Sequence, residues 1–153
     1  MAQYAAATTV PVEKSKAEIE RIVTRYGATG FGSGWQGSKA TIQFVCSNRH
    51  IRFTMDLPDR QDKRFTYKER GYGLRTETAA QALWEQACRQ KWRALALLVK
   101  AKLEAVDAKI ATFEEAFLSD IVLPDGLTVW EKTREPIALA YSSGQAVALL
   151  PSH

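Results

Sequence analysis

Apolar residues along this chain follow two rhythms, one at helical spacing and one at every second position, and each switch between them marks the edge of an element. The first helical run is Ile19, Ile22, Val23 and Tyr26, with Ser15-x-x-Glu18 ahead of it as a capping box and Gly27 behind it as a stop. This predicts a helix from Ser15, and it sets residues 1–14 apart as a flexible segment before a single domain at 15–150. Arg21 and Arg25, four positions apart, fall on the opposite, solvated side.

The spacing then changes to two. Residues 29–35 place Phe31, Ser33 and Trp35 on one face and Gly30, Gly32 and Gly34 on the other. Residues 39–46 alternate Ala40, Ile42, Phe44 and Cys46 against Lys39, Thr41, Gln43 and Val45, and residues 50–57 alternate Ile51, Phe53, Met55 and Leu57 against Arg52, Thr54 and Asp56. With Ser47-Asn48 as a short turn, the segments read as a three-stranded antiparallel meander with one face in the core. The bare glycine row is expected to let a neighbouring stretch of backbone approach closely.

Residues 58–75 keep neither rhythm and are expected to form a mobile loop, with a short hairpin around 65–67 as the other reading. The helical spacing returns at Thr76 and runs to about Ala108 through Ala80, Leu83, Trp84, Ala87, Cys88, Leu95, Val99, Leu103 and Val106, which makes this helix the spine of the core. Two further capping boxes, Thr112-x-x-Glu115 and Thr128-x-x-Glu131, flank a Pro124-Asp125-Gly126 turn and predict two short helices. Pro136 should kink or end the second of these, and the apolar tail after Gly144 is suited to docking on the domain or to a homodimer interface. The fold class is α+β: an N-terminal helix, the meander, a long core helix and two short C-terminal helices.

Composition narrows the function classes. The 153 residues carry 21 Lys and Arg against 17 Asp and Glu, a net charge of +4 that leans mildly toward a polyanionic partner. The two cysteines, Cys46 and Cys88, lie inside patterned segments and make neither a disulfide framework nor a zinc motif, so reduced thiols are expected and neither a cofactor nor a metal. No run approaches the ~18 apolar residues of a membrane span, and the N-terminal sequence has no signal-peptide pattern, which points to the cytoplasm.

Catalytic constellations are hard to assemble from these residues. The glycine run from Gly27 to Gly34 follows a helix and leads into a strand, the reverse of a phosphate loop, and it lacks the terminal lysine. The two histidines, His50 and His153, have no nucleophile partner in the pattern. A metal-dependent nuclease remains a third reading on Asp56 and Asp59, since restriction-type nucleases open with the same element order, but their carboxylate-x-Lys motif is missing.

The better candidate is basic and aromatic. Lys39, Arg49 and Arg52 on the meander join Arg64, Lys68 and Arg70 of the 58–75 segment, beside Phe65, Tyr67 and Tyr72, a mixture that tracks phosphates and stacks bases. That segment carries six basic residues against three acidic ones. The leading expectation is a non-enzymatic nucleic-acid-binding protein. The alternative is a protein-interaction module that blocks a host component, anchored by Trp92 among Arg89 and Arg93, or by Trp130.

The runs at 12–29 and 93–106, with Gly34-Trp35 and Ile51-Arg52-Phe53 between them, resemble a family of uncharacterised bacteriophage and prophage proteins. The resemblance spans nearly the whole chain. It implies a virus-encoded protein at work in the bacterial cytoplasm, on phage nucleic acid or against a host protein, and it assigns no residue a role. The helix, three strands, helix order also matches double-stranded RNA-binding domains, without their basic helix-start signature.

Overall fold

Helix α1 spans Val12–Arg25 and begins three residues before the expected capping box. In the computed structural model, which describes residues 5–70 and 73–150, Pro11 is the N-cap and Ser15 lies wholly buried inside the helix. The reason is visible in the spacing: Val12, Ser15, Ile19, Ile22 and Val23 continue one helical stripe, so the small Ser15 faces the core instead of capping it. Residues 5–11 ahead of it are held against the domain. Ala5 is buried, and the carbonyls of Ala6 and Thr8 accept hydrogen bonds from the side chains of Gln90 (2.6 Å) and Gln86 (2.8 Å).

After Gly27, at φ +99°, the chain forms strands β1 (Gly30–Gln36), β2 (Lys39–Cys46) and β3 (Arg49–Asp56). They pair antiparallel in the order β1-β2-β3, with Phe31 opposite Phe44 and Phe44 opposite Ile51. Ser47 and Asn48 both adopt positive φ, as a two-residue hairpin with the twist of its strands requires. The inward rows of β2 and β3, from Ala40 to Cys46 and including Ile51 and Phe53, form the core with α1 and with α3, Glu77–Asp107. One expectation fails on this sheet. No heavy atom lies within 4 Å of a Cβ built on Gly30 or Gly34, and only the Gln43 side chain reaches 4.0 Å from that of Gly32, so the glycine row faces open space and no backbone approaches it.

The 58–75 segment has structure of its own. Asp62 caps a single helical turn, α2 (Lys63–Thr66), and Phe65, 4% exposed, anchors it. Tyr67 then bridges to Leu74, and the Arg75 guanidinium donates to the carbonyls of Arg64 and Tyr67. Tyr72 lies outside the described residues.

Beyond α3, Thr112 and Thr128 both close full capping boxes, at α4 (Phe113–Phe117) and α5 (Val129–Ser143), as the sequence predicts. Between them the chain adds bridges to the open side of β3, where the Val122 amide donates to the His50 carbonyl (2.8 Å) and Ile51 pairs with Ile121. Pro136 does not end α5, which continues to Ser143. Only Thr133 of that helix is buried, so whatever bend the proline imposes meets no tightly packed neighbour. The described part of the tail, residues 145–150, stands largely exposed, with Leu149 and Leu150 at 46% and 53% and only Val147 half-buried; residues 151–153, including His153, lie outside the described residues. Among the described residues no helix is long and apolar enough to cross a membrane.

Burial leaves one carboxylate in an awkward place. Asp120, just before the short hairpin in which Val122 bridges to Thr128, has one oxygen without a hydrogen-bond partner, and desolvation raises its pKa above the ordinary 3.8 against the pull of Lys102 at 3.8 Å. Because its folded pKa exceeds its unfolded one, the proton favours folding: that stabilisation is complete below the unfolded value and is lost as pH rises through the folded one. Asp120→Asn should therefore flatten the fall in stability from pH 4 toward neutrality, as urea melts across that range would record. A steeper fall in the variant would contradict it.

Candidate functional site

The surface expected to meet nucleic acid is only partly available. On the outer face of the sheet Lys39 pairs with Asp56 (2.6 Å) and Arg52 with Glu131 (3.3 Å) and the Gly126 carbonyl (2.8 Å), while Arg49, at the start of β3 on the same side as Ile51 and Phe53, pairs with Glu114 of α4 (2.8 Å). These cations tie the sheet to its own neighbours. Arg52 in particular fastens β3 to the turn before α5 and to the glutamate that closes that helix's capping box. Phe65 is buried and cannot stack on a base, although Arg64 lies over its ring at 4.6 Å. Lys68 and Arg70 are exposed, as is Tyr67 at 50%, so the far end of the 58–75 segment keeps a basic surface.

The residues of the two other readings are separated as well. Trp92 is 4% exposed and belongs to the core, so it cannot be a surface anchor. Arg93 pairs with Glu18 of α1 across the helix interface. Trp130 is 54% exposed and does stand at the surface. The two nuclease-candidate carboxylates are each occupied: a hydrogen bond from Lys39 holds Asp56 below the usual carboxylate range, and Asp59 accepts the Gln61 amide in a local turn. No group of three or more metal-binding side chains occurs among the described residues.

A different site emerges where α1, α3 and the β1–β2 hairpin meet. A cleft of about 470 Å³ is walled by Trp35, Leu57 and Trp84, floored by Trp92 and Ala40, and edged by Pro11 and Val12. Its size falls within the usual range of ligand pockets, and its lining is mainly apolar. The side chains that enclose it come from three parts of the sequence. Trp35 is the last aromatic of β1 and is 75% exposed. Trp84 and Trp92 lie about two turns apart on α3. The Trp84 indole N–H donates to the Pro58 carbonyl (2.7 Å), which fixes the ring against the root of the 58–75 segment.

Charge at the cleft is asymmetric. Lys16 enters from α1, sets its ammonium 4.8 Å from the centre of the Trp92 ring, and pairs with the exposed Glu13 one turn away (3.3 Å). Arg89 enters from α3 with its Nε held by Gln86 (2.8 Å), and it makes no ion pair among the described residues. Glu85 is the one carboxylate in the lining. Cys88 lies between them, and desolvation, helped by Glu85, raises its thiol pKa, which opposes a reactive thiolate. The cleft thus combines flat aromatic faces with two cations.

Residue spacing places Trp35 on a strand face and Trp84 in the helix stripe but does not join them. The available signal was the tryptophan count, four in the chain, three of which converge here. Comparison with protein-family models, curated proteins and solved structures gave no match to this chain.

Proposed function

We propose that the protein is a non-enzymatic accessory protein that binds single-stranded nucleic acid, in the service of phage replication or recombination in a bacterial cytoplasm. The observation that supports this reading is the tryptophan-lined cleft with Lys16 and Arg89 at its wall. Aromatic faces accept any base, and adjacent cations hold the phosphates that join one base to the next. Two cations against one carboxylate disfavour a cationic guest such as a quaternary ammonium, and Lys16 already occupies a face of Trp92. Tyr67, Arg64, Lys68 and Arg70 extend the strand's path, since their segment is rooted beside the cleft through Pro58 and through Arg60, which binds Gln81 (2.9 Å) and Glu77 (2.7 Å) on α3.

The test is a fluorescence-anisotropy titration with short labelled DNA and RNA oligonucleotides at low and moderate salt. Trp35→Ala should weaken binding by about 1–3 kcal/mol per stacked base, fivefold or more. Because Trp35 is 75% exposed, the same change should alter folding stability by no more than about 0.5 kcal/mol. Binding should also fall with salt, less steeply once Arg64, Lys68 and Arg70 are replaced. Equal affinity in Trp35→Ala, or no binding at low salt, would overturn the assignment.

A protein-interaction role against a host component is the second reading, and helix α5 favours it. Trp130 and Tyr141 are 54% and 88% exposed and, about three helical turns apart, lie on the same side of α5. A stoichiometric protein complex that survives nuclease treatment and is lost on Trp130→Ala would shift the assignment to this face.

A further inference from the structure

Strand β1 is the open edge of the sheet, and it is unusually unprotected. None of its seven residues is fully buried, and the segment Gly30–Gln36 contains no charge, no proline and no bulge within its seven paired positions. Edge strands normally carry such features because unpaired amides and carbonyls template another strand. The opposite edge, β3, is covered by the bridges at Ile121 and Val122.

The direction of the free groups follows from the ladder. The Leu57 amide donates to the Ser38 carbonyl (2.6 Å), which sets the phase of the β2–β3 pairing. With the registers continuous, Ala40, Ile42 and Phe44 turn their backbone groups toward β3, and Lys39, Thr41, Gln43 and Val45 turn theirs toward β1. The residues of β1 that bond to β2 are therefore Gly30, Gly32, Gly34 and Gln36. The amides and carbonyls of Phe31, Ser33 and Trp35 point out of the sheet. The Val122 amide meeting the His50 carbonyl at the far edge has the same phase.

We infer that this edge pairs with the same edge of a second copy of the chain, antiparallel about a two-fold axis at Ser33. The strand is nearly symmetric about that residue: Gly32 then Phe31 in one direction, Gly34 then Trp35 in the other. Under the two-fold, Ser33 meets its own counterpart and Phe31 meets Trp35 of the second copy, each pair exchanging amide and carbonyl bonds. The aromatic side chains become cross-strand neighbours on the helix side, a pairing that stabilises sheets, while glycine lies opposite glycine on the other face. A charge close to a two-fold axis meets its own copy, and this strand carries no charge at all. Two three-stranded sheets then become one of six strands. A single strand per copy makes a small interface, so the dimer forms at micromolar or higher concentration.

The test is sedimentation equilibrium of the full chain from about 1 to 100 μM, compared with Ser33→Pro, Ser33→Lys and Ser33→Glu. Proline at this position removes an amide that the monomer's ladder does not use, so the far-UV spectrum and melting of that variant should match those of the parent. Each variant alone should raise the dimer dissociation constant at least about tenfold, and mixing the Lys and Glu variants should restore dimers. A monomer throughout the range, or a dimer unaffected by these substitutions, would overturn the inference. Neither result bears on oligonucleotide binding to the cleft, because the anisotropy titration can be run on the Ser33→Pro monomer.

Discussion

Phe117→Ala is expected to lower the stability of the protein by about 3–5 kcal/mol, a large share of what a domain of this size has. Phe117 is fully buried at the end of the five-residue helix α4, which is too short to be stable alone. Its ring stacks on Phe113 at 4.6 Å and meets Phe44 and Phe53 of the sheet edge-on at 6.0 and 6.2 Å. The Lys102 ammonium of α3 lies 5.7 Å from its centre. Removing the ring opens a cavity among the two strands, the long helix and α4, and it releases the hairpin that continues from α4 to the β3 edge. Chemical denaturation followed by far-UV circular dichroism would measure the loss. Hydrogen exchange should show the Val122 amide, bonded to His50, among the first to lose protection. A cost under 1 kcal/mol would mean that the C-terminal elements do not depend on this cluster.

Trp92→Ala should have an effect of similar size, about 3–5 kcal/mol, for a different packing reason. Its indole fills the space between α3, α1 and the sheet, is 4% exposed, and also supports the Lys16 ammonium. Trp92→Phe should recover much of the loss, because a smaller ring still occupies the site. Backbone circular dichroism is the suitable probe, since the substitution changes the tryptophan fluorescence itself. A surface anchor would behave otherwise, costing no more than about 0.5 kcal/mol on truncation. The contrast with exposed Trp35, where binding should fall and stability should not, separates the floor of the cleft from its wall.

The three tryptophans of the cleft show how sequence spacing can locate a residue on an element without saying what it faces. Trp92 lies among Arg89, Lys91 and Arg93, so spacing leaves a surface position open beside the more ordinary one at the edge of the core. Packing of α1 against α3 decided it, through the ion pair of Arg93 with Glu18 and the contact of Lys16 with the Trp92 ring. The basic residues of the sheet followed the same logic in reverse. Alternation correctly put Arg52 outside the core, but whether that cation would be free depended on Glu131, which lies 79 positions away in the sequence.

What the sequence determined by itself was local and periodic. The two-residue and helical rhythms gave the three strands and the long helix within about a residue of their ends, and the side-chain chemistry of Thr112, Thr128, Ser47 and Asn48 gave the caps and the hairpin turn. These features depend on residues within one turn or one pleat of each other, so a linear reading contains them. Tertiary structure decided whatever depended on residues far apart. It drew Ser15 into the core, anchored residues 58–75 through Phe65, left the glycine row of β1 open, and brought Trp35, Trp84 and Trp92 around one cleft. Exposure, charge pairing and cavities arise only between elements, and only the packed chain fixes which elements meet.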